Sequence, residues 1–362
     1  MAHIASPALP LKVIQCGTGI AGVHALTAIL DRPDLSLAGL LVHSEQNENR
    51  DAASFISRPD CGVRATRSVA ALARVEADIV LYMLLVPSLD DICTFLASGK
   101  DVVTTAGFMF PRWNNQEAHR RLSEACAAGG SSFFVTGINP GFVDEVLPLT
   151  MSFLARDWKT ISISEYADCS TYPSAPMLYD VMGFGRTPED IAAGRVADMR
   201  IMTDFFAASV AALAHELGLT LDEVRQSREL LTASEPFDIS VGRIERGTVA
   251  GQRWRWAGVA GGVERIVQET YWIVGFDLAE GWPRRGEMSG DVRWQVTIEG
   301  SPSLRCVFET RESFDPDRAP TGTNASSVAT AMAGVNSLQA VAAAPIGLLT
   351  AADLSQPRWR GA

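Results

Sequence analysis

Leu11-Lys12-Val13-Ile14-Gln15-Cys16-Gly17-Thr18-Gly19-Ile20-Ala21-Gly22 is the stretch that decides the fold. A short, β-rich apolar run feeds straight into Gly-x-Gly-x-x-Gly, and the helix-compatible segment Val23 to Leu30 follows. In that setting each glycine has a physical task. Gly17 permits the tight turn after the strand, Gly19 lets backbone approach a pyrophosphate, and Gly22 lets the helix pack close to the sheet. The helix amides then point at the phosphates, so Gly17, Thr18, Gly19, Ile20 and Gly22 are assigned to a dinucleotide.

Outward from this turn, apolar runs alternate with helical segments. Leu35 to Val42, Ile79 to Val86, Val102 to Thr105 and Ser131 to Thr136 read as further buried strands. Near-continuous apolar strands separated by helices predict a parallel sheet covered on both faces, an α/β doubly wound Rossmann domain. The end of the second run speaks to the adenosine half of the cofactor. His43 and Ser44 stand there instead of an immediate carboxylate, with Arg50 shortly after. These donors favour a 2′-phosphate and hence NADP, while Glu45 keeps NAD as the alternative. Val86, at the end of its run, joins the cofactor set.

After Gly141 the alternation stops. Thr160 to Tyr166 alternates polar and apolar, as a half-exposed strand does. Thr187 and Pro188 open a helix whose apolar stripe is Met199, Met202, Phe206, Val210, Leu213 and Leu217, ended by Gly218. Thr220 to Glu223 reads as a capping box opening another helix. Phe237 to Glu245, Gln252 to Ala257, Glu264 to Val274, Val292 to Glu299 and Leu304 to Glu309 read as strands. They predict a second, α+β domain on an antiparallel or mixed open sheet. Its outward aromatics Trp254, Trp256, Tyr271 and Trp272 suit a pocket wall, a subunit interface or plain core packing. The expected division is 1–141, 142–325, and a C-terminal segment 326–362 whose Ala-rich helix packs back on the first domain.

Composition narrows the function. The chain has 362 residues, 47% of them apolar, which is enough for a full core. A net charge of −11 without a basic tract argues against nucleic acid. Six cysteines without Cys-x-x-Cys spacing, and five histidines without His-x-x-x-His, predict no metal site and a reducing compartment. No apolar stretch approaches the roughly 20 residues that span a bilayer, and the N-terminus lacks signal-peptide features, so a cytoplasmic protein without membrane contacts is expected.

Three stretches carry a family resemblance: Thr136-Gly137-Ile138-Asn139-Pro140-Gly141-Phe142, the segment Tyr172 to Gly185, and Val335 to Leu348. With the glycine turn they make the chain similar to the dihydrodipicolinate-reductase-like family that includes 2,4-diaminopentanoate dehydrogenase and native amine dehydrogenases. The resemblance implies a homodimer interconverting amine and imine, and so ketone plus ammonia, with NAD(P). It also implies that Asn139, Pro140 and Gly141 line the nicotinamide pocket, where a rigid turn suits close approach to a flat ring. Gly107, Phe108 and Met177 are assigned to the substrate pocket.

The family's amine dehydrogenases carry a glutamate just after the strand matching Val102 to Thr105. Here the stretch reads Ala106-Gly107-Phe108-Met109-Phe110, without an ionisable side chain. Reduction of C=N or C=O still needs a proton donor. The candidates are Tyr166, Asp168 and Tyr172, with Asp144 and Glu145 behind the Asn-Pro-Gly turn. The leading expectation is an NAD(P)-dependent oxidoreductase for a small apolar imine or carbonyl, acting in a cleft between the domains. The alternatives are a true amine dehydrogenase with its carboxylate elsewhere, and a catalytically silent dinucleotide sensor or scaffold.

Overall fold

A computed structural model describes residues 9–196, 200–284, 292–315, 317–319 and 321–354, excepting the side chains of 200–203. The chain divides into two units, Met1–Phe142 with Pro320–Ala362, and Val143–Ala319. The first unit opens with β1 (Leu11–Cys16), α1 (Ile20–Asp31), β2 (Leu35–Leu41), β3 (Ala65–Thr66), α2 (Val69–Leu72), β4 (Ile79–Tyr82), α3 (Leu89–Ala97), β5 (Asp101–Thr104), α4 (Pro111–Asn114), α5 (Gln116–Gly129) and β6 (Ser132–Val135). The second unit supplies α6 (Leu147–Ser152), β7 (Asp157–Asp168), α7 (Pro188–Ala192), α8 (Arg200–Glu216), β8 (Glu223–Thr232), β9 (Phe237–Ile239), β10 (Gly242–Ile244), β11 (Val249–Ala260), β12 (Val263–Ile273), β13 (Val292–Ser301) and β14 (Leu304–Glu309). The chain then rejoins the first unit as α9 (Ala325–Ala342) and β15 (Gly347–Leu348).

The first unit holds one parallel sheet in the order β15-β6-β5-β4-β1-β2-β3. The order of successive strands runs outward one way through β2 and β3 and the other way from β4 onward, which makes the β1/β4 edge the topological switch point. Because side chains alternate across a strand, each strand feeds two cores. Ile14, Val80, Tyr82, Val102 and Phe133 join Ile92, Phe95 and Leu122 of α3 and α5 on one face. Val13, Ile79, Leu81, Val103 and Phe134 join Ala25 and Ile29 of α1 on the other. Right-handed crossovers put α3 and α5 on the face opposite α1. The α1 face over β4, β5 and β6 therefore needs another cover.

That cover is α9. Its Ala331, Val335, Leu338 and Val341 pack into the same core as Leu81, Val103 and Phe134. A Cβ at Gly334 would stand 2.9 Å from Leu81 Cδ1, so the close approach of helix to sheet needs glycine there. Arg32 Nη1 donates to Asn336 Oδ1 at 3.0 Å and locks the end of α1 to the same helix.

The second unit's main sheet runs β14-β13-β7-β12-β11-β8 and is mixed, since β7 and β12 pair parallel while the other neighbours are antiparallel. Phe206 of α8 packs tilted against Trp256 with ring centroids 4.7 Å apart. Trp254, Trp256, Tyr271 and Trp272 are all buried, so the aromatics expected to face outward serve the core. At the centre, the carboxylate of Glu165 accepts the indole N–H of Trp272 and that of Trp294, each at 2.8 Å.

Several local expectations need correction. Thr220 to Glu223 opens no helix: the Asp222 amide donates to Val259 O at 2.7 Å and β8 follows as an edge strand. Tertiary partners decide this, with Arg228 lying 4.5 Å over the Trp254 ring and bonded to Gln252 Oε1 at 2.7 Å. Phe237 to Glu245 is a hairpin of two three-residue strands, β9 and β10. The helix announced by Thr187 ends at Ala192, and Gly194 at φ +70° separates it from α8. Phe206, Val210 and Leu213 are buried as expected, while Met199 and the side chain of Met202 lie outside the described residues. No helix among the described residues is long and apolar enough to cross a membrane.

Leu338 is fully buried between α9 and the sheet. Leu338→Ala should cost about 2–5 kcal/mol of stability, as a buried leucine truncation does. Chemical denaturation read by circular dichroism measures this; a loss under about 1 kcal/mol would show that α9 is not a required cover.

Candidate functional site at the carboxyl ends of the parallel strands

The glycine turn is built from β1 outward. Gln15 is fully buried, and its Nε2 donates to Gly17 O at 2.9 Å and to Gly22 O at 2.6 Å. One side-chain amide thus ties both ends of the turn. Gly17 sits at φ +100°, where a Cβ would meet Met83 O at 2.9 Å. A Cβ at Gly22 would meet Gly17 O at 2.5 Å, so helix and turn can close only on glycine. Gly19 differs: a Cβ there would meet nothing within 4 Å. It caps α1 without a side-chain hydrogen bond, and the first turn carries no acid. The helix thus presents open N-terminal amides with favourable dipole beside open space, which suits an anion.

Around the turn, the same edge of the sheet collects most of the residues singled out in the sequence. His43 is exposed after β2, and Ser44 begins a short 3-10 segment without using its side chain as a cap. The strand expected to reach Val86 ends at Tyr82, and Leu85 and Val86 are 83% and 78% exposed in the loop that follows. That loop is held by Tyr82, whose buried hydroxyl accepts the Ser88 amide at 3.1 Å and donates to Asp91 Oδ2 at 3.3 Å. Burial raises the Tyr82 pKa, so the hydroxyl stays protonated. After β6, the Phe142 amide donates to Gly137 O at 2.9 Å and closes the turn carrying Asn139, Pro140 and Gly141, with a cis Asn139–Pro140 bond.

Beyond β5, Gly107 sits at φ +73° and a Cβ there would lie 2.3 Å from Pro87 Cγ. No side chain fits at 107, so it is not a position from which a glutamate could reach out. Phe108 and Phe110 are also left-handed, at φ 55° and 38°, and Phe108 packs against the α3/α5 core. Ala106 is anchored through its amide and carbonyl by Thr104 Oγ1. Arg50 does not join the group. Its carbonyl accepts the Ala65 amide at 2.8 Å on the edge of β3, and its guanidinium is bonded to Asn47 Oδ1 at 3.0 Å.

In the second unit, Tyr166 and Asp168 share one face at the end of β7. Tyr166 stacks on Tyr271 at 5.0 Å, and Asp168 Oδ1 accepts the Ser170 amide at 2.9 Å. Tyr172 is 40% exposed a short turn later, and Met177 opens a single π-turn ending at Val181. Asp144 and Glu145 are both buried. Asp144 Oδ2 accepts the Ser209 hydroxyl, whereas Glu145 Oε1 has no hydrogen-bond partner among the described residues. Burial, with Asp144 and Glu216 nearby, holds the Glu145 carboxyl well above the usual carboxylate range. Among the described residues, no group of three or more His, Cys, Asp or Glu is placed to hold a metal.

Sequence reasoning missed Gln15 and Tyr82. The signal for Gln15 was present: it is the one uncharged polar residue in the run Leu11 to Cys16, immediately before the glycines.

A doubly wound sheet with a glycine turn at its first strand, joined to a second unit on a mixed sheet, is the architecture of a two-domain oxidoreductase. Residues 142–360 match the family model described as the 2,4-diaminopentanoate dehydrogenase C-terminal domain, and the chain belongs to that family. It is 28% identical over 355 residues to an amine dehydrogenase of Streptomyces virginiae, covering 95% of this chain and 96% of that one. Among solved structures it is similar to the amine dehydrogenase of Mycobacterium smegmatis, at 19% identity, a TM-score of 0.72 and 97% coverage of each chain. It is also similar in fold to a biliverdin reductase of Synechocystis in complex with biliverdin and NADP+, at 14% identity, TM-score 0.51, and 91% and 90% coverage.

The buried Glu145 makes stability pH-dependent. Its raised pKa means the folded chain keeps a proton that the unfolded chain releases above about pH 4.3, so this group's contribution falls as pH rises. Glu145→Gln should remove that slope, up to about 1.4 kcal/mol per pH unit, and gain on wild type as pH rises above about 4.3. Parallel denaturation curves for the two proteins across this range would contradict it.

Proposed function

We propose that this chain passes a hydride between nicotinamide and the carbon of a C=N or C=O bond in a small, apolar substrate, with NADP as the preferred cofactor. The observation that carries this reading is the Gln15-braced turn, which leaves Gly19 and the α1 amides open to a pyrophosphate. The nicotinamide supplies the hydride, and the remaining tasks fall to the chain. Ile20, Leu85 and Val86 offer exposed apolar contact beside the turn. Asn139 to Gly141 forms the backbone turn that meets a flat ring. For the proton, Tyr172 fits better than Asp168, because one carboxylate oxygen of Asp168 is already taken by the Ser170 amide.

The loop Ala106 to Phe110 supports a preformed imine or a carbonyl, since it brings no counter-charge for an ammonium. Burying an ammonium unpaired costs several kcal/mol. A second reading, ammonia-dependent amine dehydrogenation, is favoured by the whole-length likeness to an enzyme of that name.

Oxidation of NADPH with ketones, aldehydes and cyclic imines, each with and without ammonium, separates the two. Turnover independent of ammonium is expected. Brisk turnover on ketones only when ammonium is present would establish the second reading. Ala106→Glu, rather than a change at Gly107, is the substitution that should raise any ammonium-dependent rate. Gly19→Asp should abolish dinucleotide binding in calorimetry while leaving circular dichroism unchanged, because it sets a charge against the pyrophosphate. Retained binding would remove the basis of the proposal.

A further inference from the structure

We propose that Arg67, not Arg50, is the residue that selects the 2′-phosphorylated cofactor; this rests on the dinucleotide reading above. The argument is one of strand order. β3 lies between β2 and the segment carrying Arg50. On one side, β3 pairs parallel with β2, Leu41 opposite Thr66, and the Val42 amide donates to Thr66 O at 3.0 Å. On the other side, the Ala65 amide donates to Arg50 O, the Asn49 amide donates to Ala65 O, and Asp51 bridges antiparallel to Arg64. Arg50 therefore flanks the far edge of β3, two strand spacings (about 10 Å) from the end of β2, where an adenosine ribose would sit. Its guanidinium is also committed, to Asn47 and over the Phe55 ring at 4.3 Å.

Arg67 follows β3 directly. The Thr66–Val42 hydrogen bond sets it one strand spacing from Val42 and His43. The turn there is fixed, because Thr66 Oγ1 accepts the Ser68 amide at 3.2 Å and Ser68 Oγ in turn caps α2 through the Ala71 amide. Arg67 is exposed and makes no ion pair or hydrogen bond among the described residues, in contrast to its neighbour Arg64, which pairs with Asp60. A guanidinium free of carboxylates, beside the exposed His43 and the uncommitted Ser44 hydroxyl, matches a phosphate monoester. Glu45, exposed on the same loop, is the opposing group, since a carboxylate there suits an unmodified ribose.

The test is titration of the full chain with NADP+, NAD+ and adenosine 2′,5′-bisphosphate, comparing wild type with Arg67→Met and Arg50→Met. Arg67→Met should weaken NADP+ and the bisphosphate by about 10- to 100-fold, the loss of one charge-assisted contact, and leave NAD+ within about twofold. Arg50→Met should change all three by less than about twofold, in keeping with an exposed, locally bonded side chain. The selective loss should shrink as salt rises. An equal loss for NADP+ and NAD+, no loss at all, or a selective loss in Arg50→Met instead would overturn the assignment while the dinucleotide reading stands. Wild-type protein that binds neither dinucleotide would overturn both.

Discussion

A parallel sheet exposes two apolar faces, and everything in the first unit depends on both being covered. The crossovers after β4 and β5 supply one face. The other, over Leu81, Val103 and Phe134, has no local helix, and α9 arrives to fill it only after the second unit has been made. The Arg32–Asn336 hydrogen bond spans 304 positions of sequence. The small residues of α9, with Gly334 against Leu81, follow from this duty: the helix lies flat on a sheet and beside α1, so bulk is excluded. The glycine turn inherits its rigidity from the same core, because β1 is central in the sheet and Gln15 hangs from it.

The second unit solves a different problem. Its sheet carries tryptophans on the face that meets α8, and indole N–H groups need acceptors when buried. Glu165 serves two of them from the central strand β7 and links β12 on one side to β13 on the other. A buried carboxylate is tolerable when its oxygens are bonded in this way. Glu145, on the stretch leading into the unit, lacks such donors among the described residues, and burial instead favours its protonated form.

Much of this was legible in the sequence, and the reasons are local. The strand-to-glycine junction at Cys16–Gly17 has one mechanical meaning, and apolar runs such as Val102 to Thr105 fit few alternatives. What could not be read depended on distant partners. Thr220 to Glu223 satisfies the rules of a helix start, but β11 offers a full ladder and the segment becomes an edge strand. Leu84, Leu85 and Val86 look like more of β4, yet the Tyr82 hydroxyl captures the Ser88 amide and forces a loop. Arg50 stands close to the end of β2 in sequence and beyond β3 in space. The residues proposed for chemistry in the second unit follow no pattern that sequence spacing alone can rank, because several acids and tyrosines stand within a few positions of one another.

The three left-handed residues beyond β5 have a consequence for how this protein diversifies. With Gly107 closed against Pro87, and Phe108 and Phe110 in a backbone region that side chains disfavour, the loop's shape is coupled to its composition. A single substitution at Gly107 explores little from such a starting point, because any side chain there would clash with Pro87 before it altered chemistry. New specificity is reached more readily by exchanging the stretch as a block or changing its length. A library built on this scaffold gains more from grafted loops between Thr105 and Pro111 than from saturation of the left-handed positions 107, 108 and 110.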